Sequence, residues 1–277
     1  MLKIVTDSAA NLTTEEAKKL GVEILPLSII FGDEIYRDGV DITTEEFYEK
    51  LVNGNVHPHT SQINISDFEE VFMRAKENND KLFLILLSSA LSGTVSCARI
   101  AKENVGYDGV YIYDSLGATV MEKLLVYAAL KNADKSAEEV AAILDDVRSR
   151  MVLYAAVDTL DYLYKGGRLK KSAAMLGKLF NIKPLITVSD KGTVELYGKA
   201  IGGKAAIKHI MKKTAEAVPD PDFPVCYVYS EDKTKAENLS AVLDVTDGCT
   251  KEFSNLCAVI GVHIGPGACG VCYIAHR

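Results

Sequence analysis

The sequence predicts an α/β protein in two parts, a parallel-sheet α/β domain over residues 1–150 and an α+β domain over residues 151–277. Its length suits two domains better than one compact domain. In the first part, short apolar runs alternate with helix-like stretches, a pattern that favours right-handed crossovers and a parallel sheet. After residue 150 this alternation gives way to a hairpin pattern and closely spaced strands.

The elements of the first part follow from apolar runs and from the amphipathic stretches between them. Each run is short and rich in aliphatic residues, as is typical of strands buried in a parallel sheet. We predict strands over residues 3–6, 22–31, 82–87 and 110–113, and helices from residue 13, over 92–104 and over 117–130.

Three helix starts are marked by a hydroxyl residue followed three positions later by glutamate. The pairs are Thr13 with Glu16, Thr43 with Glu46, and Ser66 with Glu69. This is the spacing of a capping box, so capping explains these polar residues better than catalysis does.

The second part is predicted as an α+β pattern. The turn "SDKG" at residues 189–192 lies between two apolar stretches and indicates a hairpin. We predict strands over residues 152–157, 182–188, 194–199, 225–229, 250–254, 258–264 and 270–276, and helices over 158–164, 172–179, 204–217 and 233–243.

The composition of the chain argues against several classes of function. The formal net charge of −7 and the absence of a basic excess argue against a nucleic-acid binder. The sequence shows neither a secretory signal nor an apolar run near the roughly 20 residues that span a bilayer, so we expect a cytoplasmic protein. The six cysteines are then expected to be reduced thiols. Cys269 and Cys272 form a C-x-x-C without a second pair, which favours buried structural thiols over a zinc site.

The stretch "SSALSGTVSCAR", residues 88–99, places hydroxyls around a glycine at a predicted helix start. It follows an apolar strand, at the sheet edge where open parallel sheets bind ligands. Ser92 and Thr94 offer hydroxyl donors, Gly93 permits close approach, and the helix start favours a small anion. Capping of the helix by Ser92 explains the same residues and is the stronger interpretation from this stretch alone.

Two other stretches bear on the choice between helix capping and ligand binding at Ser92. In "HPHTSQINISDF", residues 57–68, Thr60, Ser61 and Gln62 form a polar cluster that could also be an ordinary loop. In "VIGVHIGPGACG", residues 259–270, His263 interrupts a strand-like pattern and could equally be a core histidine. The G-x-G-x-x-G in this stretch contains a proline and precedes no helix, so we reject a dinucleotide site.

Together these stretches resemble the DegV family, the bacterial fatty-acid-binding proteins that serve fatty acid kinase. No single motif is specific, but six occur in the family's order over nearly the whole chain. They are "KIVTDSAANLT" at residues 3–13, "HTSQ" at 59–62, "LSSALSGTVSCA" at 87–98, "YDSLGA" at 113–118, "LYKGGRLKKSAAMLGKLFNIKPLI" at 163–186 and "HIGPGACG" at 263–270.

The resemblance implies a carrier without catalysis or a cofactor of its own. A long-chain fatty acid would lie in an apolar tunnel and present its carboxylate to a separate ATP-using kinase. We would expect no nucleic-acid partner and at most a peripheral or transient membrane contact. Carried over to this sequence, the carboxylate site comprises Thr60, Ser61, Ser92, Gly93, Thr94 and His263.

Two further expectations concern the kinase and the tunnel wall. Arg168 and Lys170 form a basic spot on an acidic protein, and the resemblance suggests that they dock the kinase. The mouth of the tunnel is expected to lack arginine. The apolar stretches at residues 24–30, 173–180 and 258–262 are candidates for the wall, although a plain hydrophobic core would explain them equally well.

Two alternatives remain from the residues alone. Ser92, His263 and Asp114 could form the nucleophile, base and orienting acid of a serine hydrolase, although the G-x-S-x-G elbow is missing. A phosphosugar-binding regulator would place a phosphate at residues 92–94 and would have no buried tail.

Overall fold

A computed structural model of the protein describes residues 1–169, 181–243, 246 and 248–277. The N-terminal elements are β1 (Lys3–Asp7), α1 (Thr14–Leu20), β2 (Glu23–Leu25), β3 (Ser28–Phe31), β4 (Glu34–Arg37), α2 (Thr44–Asn53), β5 (His59–Ser61), α3 (Ile65–Asn78), β6 (Leu82–Leu86), α4 (Thr94–Val105), β7 (Val110–Asp114), α5 (Val120–Leu130) and α6 (Ala137–Ser149). The C-terminal elements are β8 (Met151–Ala156), α7 (Asp161–Lys165), β9 (Ile182–Val188), β10 (Val194–Ile201), α8 (Gly203–Thr214), β11 (Val225–Tyr229), α9 (Lys233–Val242), β12 (Lys251–Asn255), α10 (Ala258–Ile264) and β13 (Cys269–Ile274).

The N-terminal half is built on a parallel sheet, as predicted. Its strand order is β2-β1-β6-β7, and each neighbouring pair is parallel. All five residues of β6 are buried, which explains why this strand is a continuous aliphatic run in the sequence. The carboxyl ends of β1, β6 and β7 therefore lie along one edge, and the loops that follow them face the same space.

The C-terminal half contains a mixed sheet with the order β10-β9-β8-β13-β11-β12. The pair β11–β12 is parallel, whereas the other neighbours are antiparallel. The predicted hairpin is confirmed, since β9 and β10 pair across the turn at residues 189–192. The mixed α/β fold class is thus confirmed, and the division at residue 150 stays a prediction.

The single strand predicted over residues 22–31 is wrong. This stretch forms two strands, β2 in the parallel sheet and β3 in a small antiparallel sheet of order β4-β3-β5. Pro26 lies between them, and a proline has no N–H to give to a central ladder. The chain therefore changes sheets here, which brings β5 beside β3.

The strand predicted over residues 258–264 is also wrong, because this segment forms the helix α10. Its β-branched residues favour a strand locally, but long-range contacts decide otherwise. Asn11 Oδ1 accepts a hydrogen bond from Cys257 N at 2.7 Å, and Asp38 Oδ2 accepts one from Val259 N at 3.3 Å. Two N-terminal side chains thus satisfy backbone donors at the start of a C-terminal helix.

The capping predictions hold at two of three sites. Thr13 and Thr43 form the expected boxes, whereas α3 begins one position before Ser66, with Asn64 as its N-cap. The structure also contains α6, which we did not predict. The helix predicted over residues 158–164 is the shorter α7, and the one predicted over 172–179 lies outside the described residues.

Candidate functional site

A cavity of about 390 Å³ lies where one face of the six-stranded sheet meets the carboxyl edge of the parallel sheet. Leu153 and Ala155 of β8 and Ile186 of β9 line it from the six-stranded sheet. Leu87 and Ala118 line it from loops that follow β6 and β7. Its volume falls within the range of about 300–1,000 Å³ that small-molecule sites usually have.

The apolar wall agrees in part with the stretches expected to line a tunnel. From residues 24–30 only Leu27 lines the cavity, and from 258–262 Val259 and Ile260 do so. Residues 173–180 lie outside the described residues. An apolar run in the sequence does not reveal which of its members face a cavity, because neighbouring residues point to different sides.

Six residues that line the cavity, five with polar side chains and one glycine, make up what we call the polar cluster: Thr60, Gln62, Ser92, Gly93, Arg168 and His263. Its central contact joins the two halves of the chain. Thr60 Oγ1 on β5 and His263 Nε2 on α10 lie 2.9 Å apart in a hydrogen bond. The correction of residues 258–264 to a helix therefore places His263 in the site, since α10 packs against β3 and β5.

Ser92 lies in the cavity wall and does not cap α4 as the N-cap residue. Gly93 is the N-cap, and α4 begins at Thr94. Ser92 Oγ lies 2.9 Å from Thr94 Oγ1 and accepts a hydrogen bond from Thr94 N at 3.3 Å. Thr94 is fully buried behind Ser92 and does not line the cavity. Of the predicted hydroxyls in this loop, Ser92 alone lines the cavity, and Thr94 supports it.

Gly93 is in close contact with Gln62. A Cβ atom at position 93 would lie 2.0 Å from Gln62 Oε1, so a larger residue would displace that side chain. Gln62 Nε2 donates to Cys97 Sγ at 2.8 Å, which holds the amide over the glycine. Gln62 belongs to the polar stretch at residues 60–62 but is not among the predicted site residues. The structure adds it to the cavity wall beside Ser61, which also lines the cavity.

His263 is neutral at physiological pH. Burial lowers its pKa to about 4, and the charges of Arg168 and His57 act in the same direction. Its Nδ1 is buried and has no hydrogen-bond partner within the described ranges. A Cβ atom at Gly166 would lie 2.2 Å from this Nδ1, so the glycine allows the ring to sit where it does.

Arg168 corrects the expectation that the mouth lacks arginine, because its side chain lines the cavity. Nε donates to Leu91 O at 3.0 Å, and Nη1 donates to Gly166 O. Burial lowers the pKa of the guanidinium, but an arginine side chain stays charged in proteins. The family resemblance suggests a docking role for Arg168, and no local pattern in the sequence signals that this side chain lines the cavity. Lys170 lies outside the described residues.

The hydrolase triad is not assembled. The hydroxyl that His263 contacts is Thr60 and not Ser92, and Asp114 Oδ1 accepts hydrogen bonds from Ser89 N and Leu116 N, both at 3.1 Å. A general base needs the nucleophile on one ring nitrogen and its orienting acid on the other. The cluster instead offers hydroxyl, imidazole and guanidinium donors, which suit a bound carboxylate or phosphate.

With this geometry established, comparison with known proteins decides the family. A family profile described as "Uncharacterised protein, DegV family" matches residues 1–276. This chain belongs to the DegV family. A DegV domain-containing protein of Clostridium acetobutylicum is 31% identical over 276 residues, which cover 98% of this chain and 97% of the relative.

Solved structures of DegV proteins share the fold. A DegV protein from Thermus thermophilus, described by its fatty acid binding, has a TM-score of 0.89 and 30% identity, with 99% of each chain covered. A stearic-acid-binding protein from Eubacterium ventriosum has a TM-score of 0.88 and 28% identity, with 99% of this chain and 98% of that chain covered. The resemblance seen in the sequence motifs is therefore confirmed.

In this DegV chain, no helix within the described residues has both the length and the apolar composition needed to cross a membrane.

Proposed function

We propose that this DegV protein binds a long-chain fatty acid in the cavity, with the carboxylate at the polar cluster and the acyl chain along the apolar wall. The observation that carries the proposal is that four hydrogen-bond donors, Thr60, Ser92, Arg168 and His263, line one cavity whose lining is otherwise mostly apolar. The fatty acids bound by the related Thermus and Eubacterium proteins support it.

The acyl chain supplies most of the affinity. Burying one methylene contributes about 0.8 kcal/mol, so about 15 of them contribute on the order of 12 kcal/mol before the cost of ordering the chain. A hydrogen bond to a charged group contributes about 1.5–3 kcal/mol. The polar cluster therefore fixes the orientation of the ligand and adds a smaller share of its affinity.

The cluster suits a carboxylate because its charge is low but positive. His263 is neutral, so its ring can form a hydrogen bond with a carboxylate without forming an ion pair with it. Arg168 supplies one cation, and the N-terminus of α4 adds partial positive charge without an acidic residue in its first turn. One carboxylate can be neutralised here without the desolvation cost of several buried charges.

The carrier role extends the proposal to a partner. A carboxylate held near the surface by exchangeable hydrogen bonds could be handed to an ATP-using fatty acid kinase, which would form the acyl phosphate. This protein would then supply the substrate and no catalytic group. Since Arg168 lines the cavity, reversing its charge should weaken fatty acid binding, so Lys170→Glu is the cleaner test of docking.

Native mass spectrometry of protein purified without added lipid tests the binding proposal. We expect a co-purifying fatty acid, reduced at least about tenfold in a Ser92→Ala, His263→Ala double variant that loses two head-group contacts. Ser89→Ala is the matched control, because Ser89 is exposed, lies outside the cavity and contacts Asp114 through its backbone. A protein that is empty in every preparation and takes up no added fatty acid would contradict the proposal.

The docking proposal has its own measurement, the rate of acyl-phosphate formation with purified kinase. Lys170→Glu should lower this rate while fatty acid uptake by the isolated protein is retained. An unchanged rate would remove Lys170 from the docking surface and would leave the binding proposal standing.

A further inference from the structure

Thr119 is an unusual residue in the cavity wall. It lies beside Ala118 after β7, on the loop that leads into α5, and it lines the cavity. The residue is 8% exposed, and its Oγ1 has no hydrogen-bond partner among the residues that the structure describes. A buried hydroxyl without a partner is destabilising, because it has lost its hydrogen bonds to water.

The backbone of Thr119 adds to this cost. Its φ of 56° and ψ of −134° lie in a region that β-branched residues rarely adopt. An alanine or glycine at this position would leave no hydroxyl unpaired, and a glycine would also relieve the strain. Strained residues of this kind concentrate where a protein holds a ligand.

A comparison within the same wall shows what is particular to Thr119. Thr187 also lines the cavity, but its Oγ1 donates to Leu153 O at 2.7 Å and is satisfied by the protein itself. One turn along α5 from Thr119, Glu122 is fully buried, and its Oε2 also lacks a partner within the described part of the chain. Glu122 does not line the cavity, so Thr119 is the lining hydroxyl whose hydrogen-bonding capacity is unused within the described residues.

We propose that Thr119 forms a polar subsite that favours acyl chains carrying an oxygen substituent, a hydroxyl or oxo group, on the part of the chain that lies beside α5. This inference rests on the proposed fatty acid site and names the class of fatty acid it prefers. Rotation about one side-chain bond presents either the hydroxyl or the methyl of a threonine. An unsubstituted chain leaves the hydroxyl unpaired, whereas a correctly placed substituent pairs it.

Competition binding with stearate and a panel of monohydroxystearates that differ in hydroxyl position tests this subsite. We expect one member of the panel to bind the unmodified protein about tenfold more tightly than stearate, which corresponds to about 1.4 kcal/mol. In Thr119→Val, which keeps the shape and removes the hydroxyl, the ratio of the two affinities should fall to about one. Thr119→Ser, which keeps the hydroxyl, should retain the preference.

The ratio is the decisive quantity, because general damage to the cavity affects both ligands and cancels. A preference that survives in Thr119→Val, or its absence for every panel member in the unmodified protein, would overturn the subsite. If the unmodified protein prefers no panel member but binds stearate normally, only the subsite is overturned and the proposed function stands. Failure of stearate itself to bind would overturn the proposed function and the subsite with it.

Discussion

Two buried polar regions of this molecule differ in how their polar groups are satisfied. The polar cluster of the cavity has few internal hydrogen bonds, and His263 Nδ1 has none within the described residues. The second region, which we call the buried acid group, comprises Asp7 and Asp38, both at most 4% exposed. Asp7 alone accepts hydrogen bonds from Leu87 N at 2.8 Å and Ala9 N at 2.9 Å.

Burial also shifts the pKa values of the two regions in opposite directions. Burial lowers the pKa of His263 to about 4, whereas it raises the pKa of Asp7 to about 7 and that of Asp38 to about 6. In each case the neutral form is favoured. The difference in satisfaction suggests a division of labour, in which the acid group stabilises the fold and the polar cluster keeps its capacity for a ligand.

The largest expected effect that tests this division is on stability, at Asp7. Asp7→Ala leaves two buried N–H groups unpaired and should lower the free energy of unfolding by about 3 kcal/mol. Asp7→Asn keeps one acceptor oxygen, so we expect a loss between those of the unmodified protein and Asp7→Ala. Urea denaturation at about pH 4, where the stabilising contribution of Asp7 is still present, measures all three, and equal midpoints would show that the acid group does not stabilise the fold.

The pH dependence of stability should separate the two regions next. The pKa of Asp7 is raised in the folded state, so its stabilising contribution is lost as the pH rises from about 4 to about 7. The pKa of His263 is lowered, so its contribution is lost as the pH falls from about 6.5 to about 4. Each group changes the free energy of unfolding by at most about 1.4 kcal/mol per pH unit.

Denaturation midpoints across this pH range check these opposite signs. Asp7→Asn should remove part of the loss seen on going to neutral pH, and His263→Ala should remove part of the loss seen on acidification. If both variants changed the profile in the same direction, the contrast between the regions would be wrong.

The smallest expected effect is at Gly166, which lies against the imidazole of the polar cluster. A Cβ atom in Gly166→Ala would press on His263 Nδ1 and move the ring away from Thr60. We expect fatty acid affinity to fall about threefold to tenfold, the cost of weakening one hydrogen bond. Gly203→Ala is the matched control, since its Cβ would have no neighbour within 4 Å. Equal affinity in both variants would argue against a role for the ring position.

Much of the fold could be predicted because its signals are local. The buried run of β6, the caps at Thr13 and Thr43 and the hairpin of β9 and β10 depend on neighbours a few positions away. The failure at α10 has a different origin, because the partner that decides the structure is distant in the sequence, as with Asn11 and Cys257. At β2–β3, Pro26 is a local signal of the break, whereas the pairing of β3 with β5 is not local.

The residues of the candidate site also separate into those that the sequence predicts and those that only the structure places in the cavity. Thr60, Ser92, Gly93 and His263 were named from the sequence, and the structure brings them to one cavity. Arg168 and Gln62 were not placed there, because their roles depend on which atoms face the cavity. Thr94 does not line the cavity, and its hydroxyl lies 2.9 Å from that of Ser92.

The sequence by itself determined the alternation of strands and helices in the parallel sheet, the hairpin of β9 and β10, the caps at Thr13 and Thr43 and the residue types available for binding an anion. These follow from periodicity, capping and turn chemistry, which act over a few residues. Only the tertiary structure decided that Thr60 and His263, 203 positions apart, share a hydrogen bond, and that an arginine lies beside them. Contacts of that range depend on how sheets and helices pack as whole bodies, and no short stretch of sequence encodes that packing.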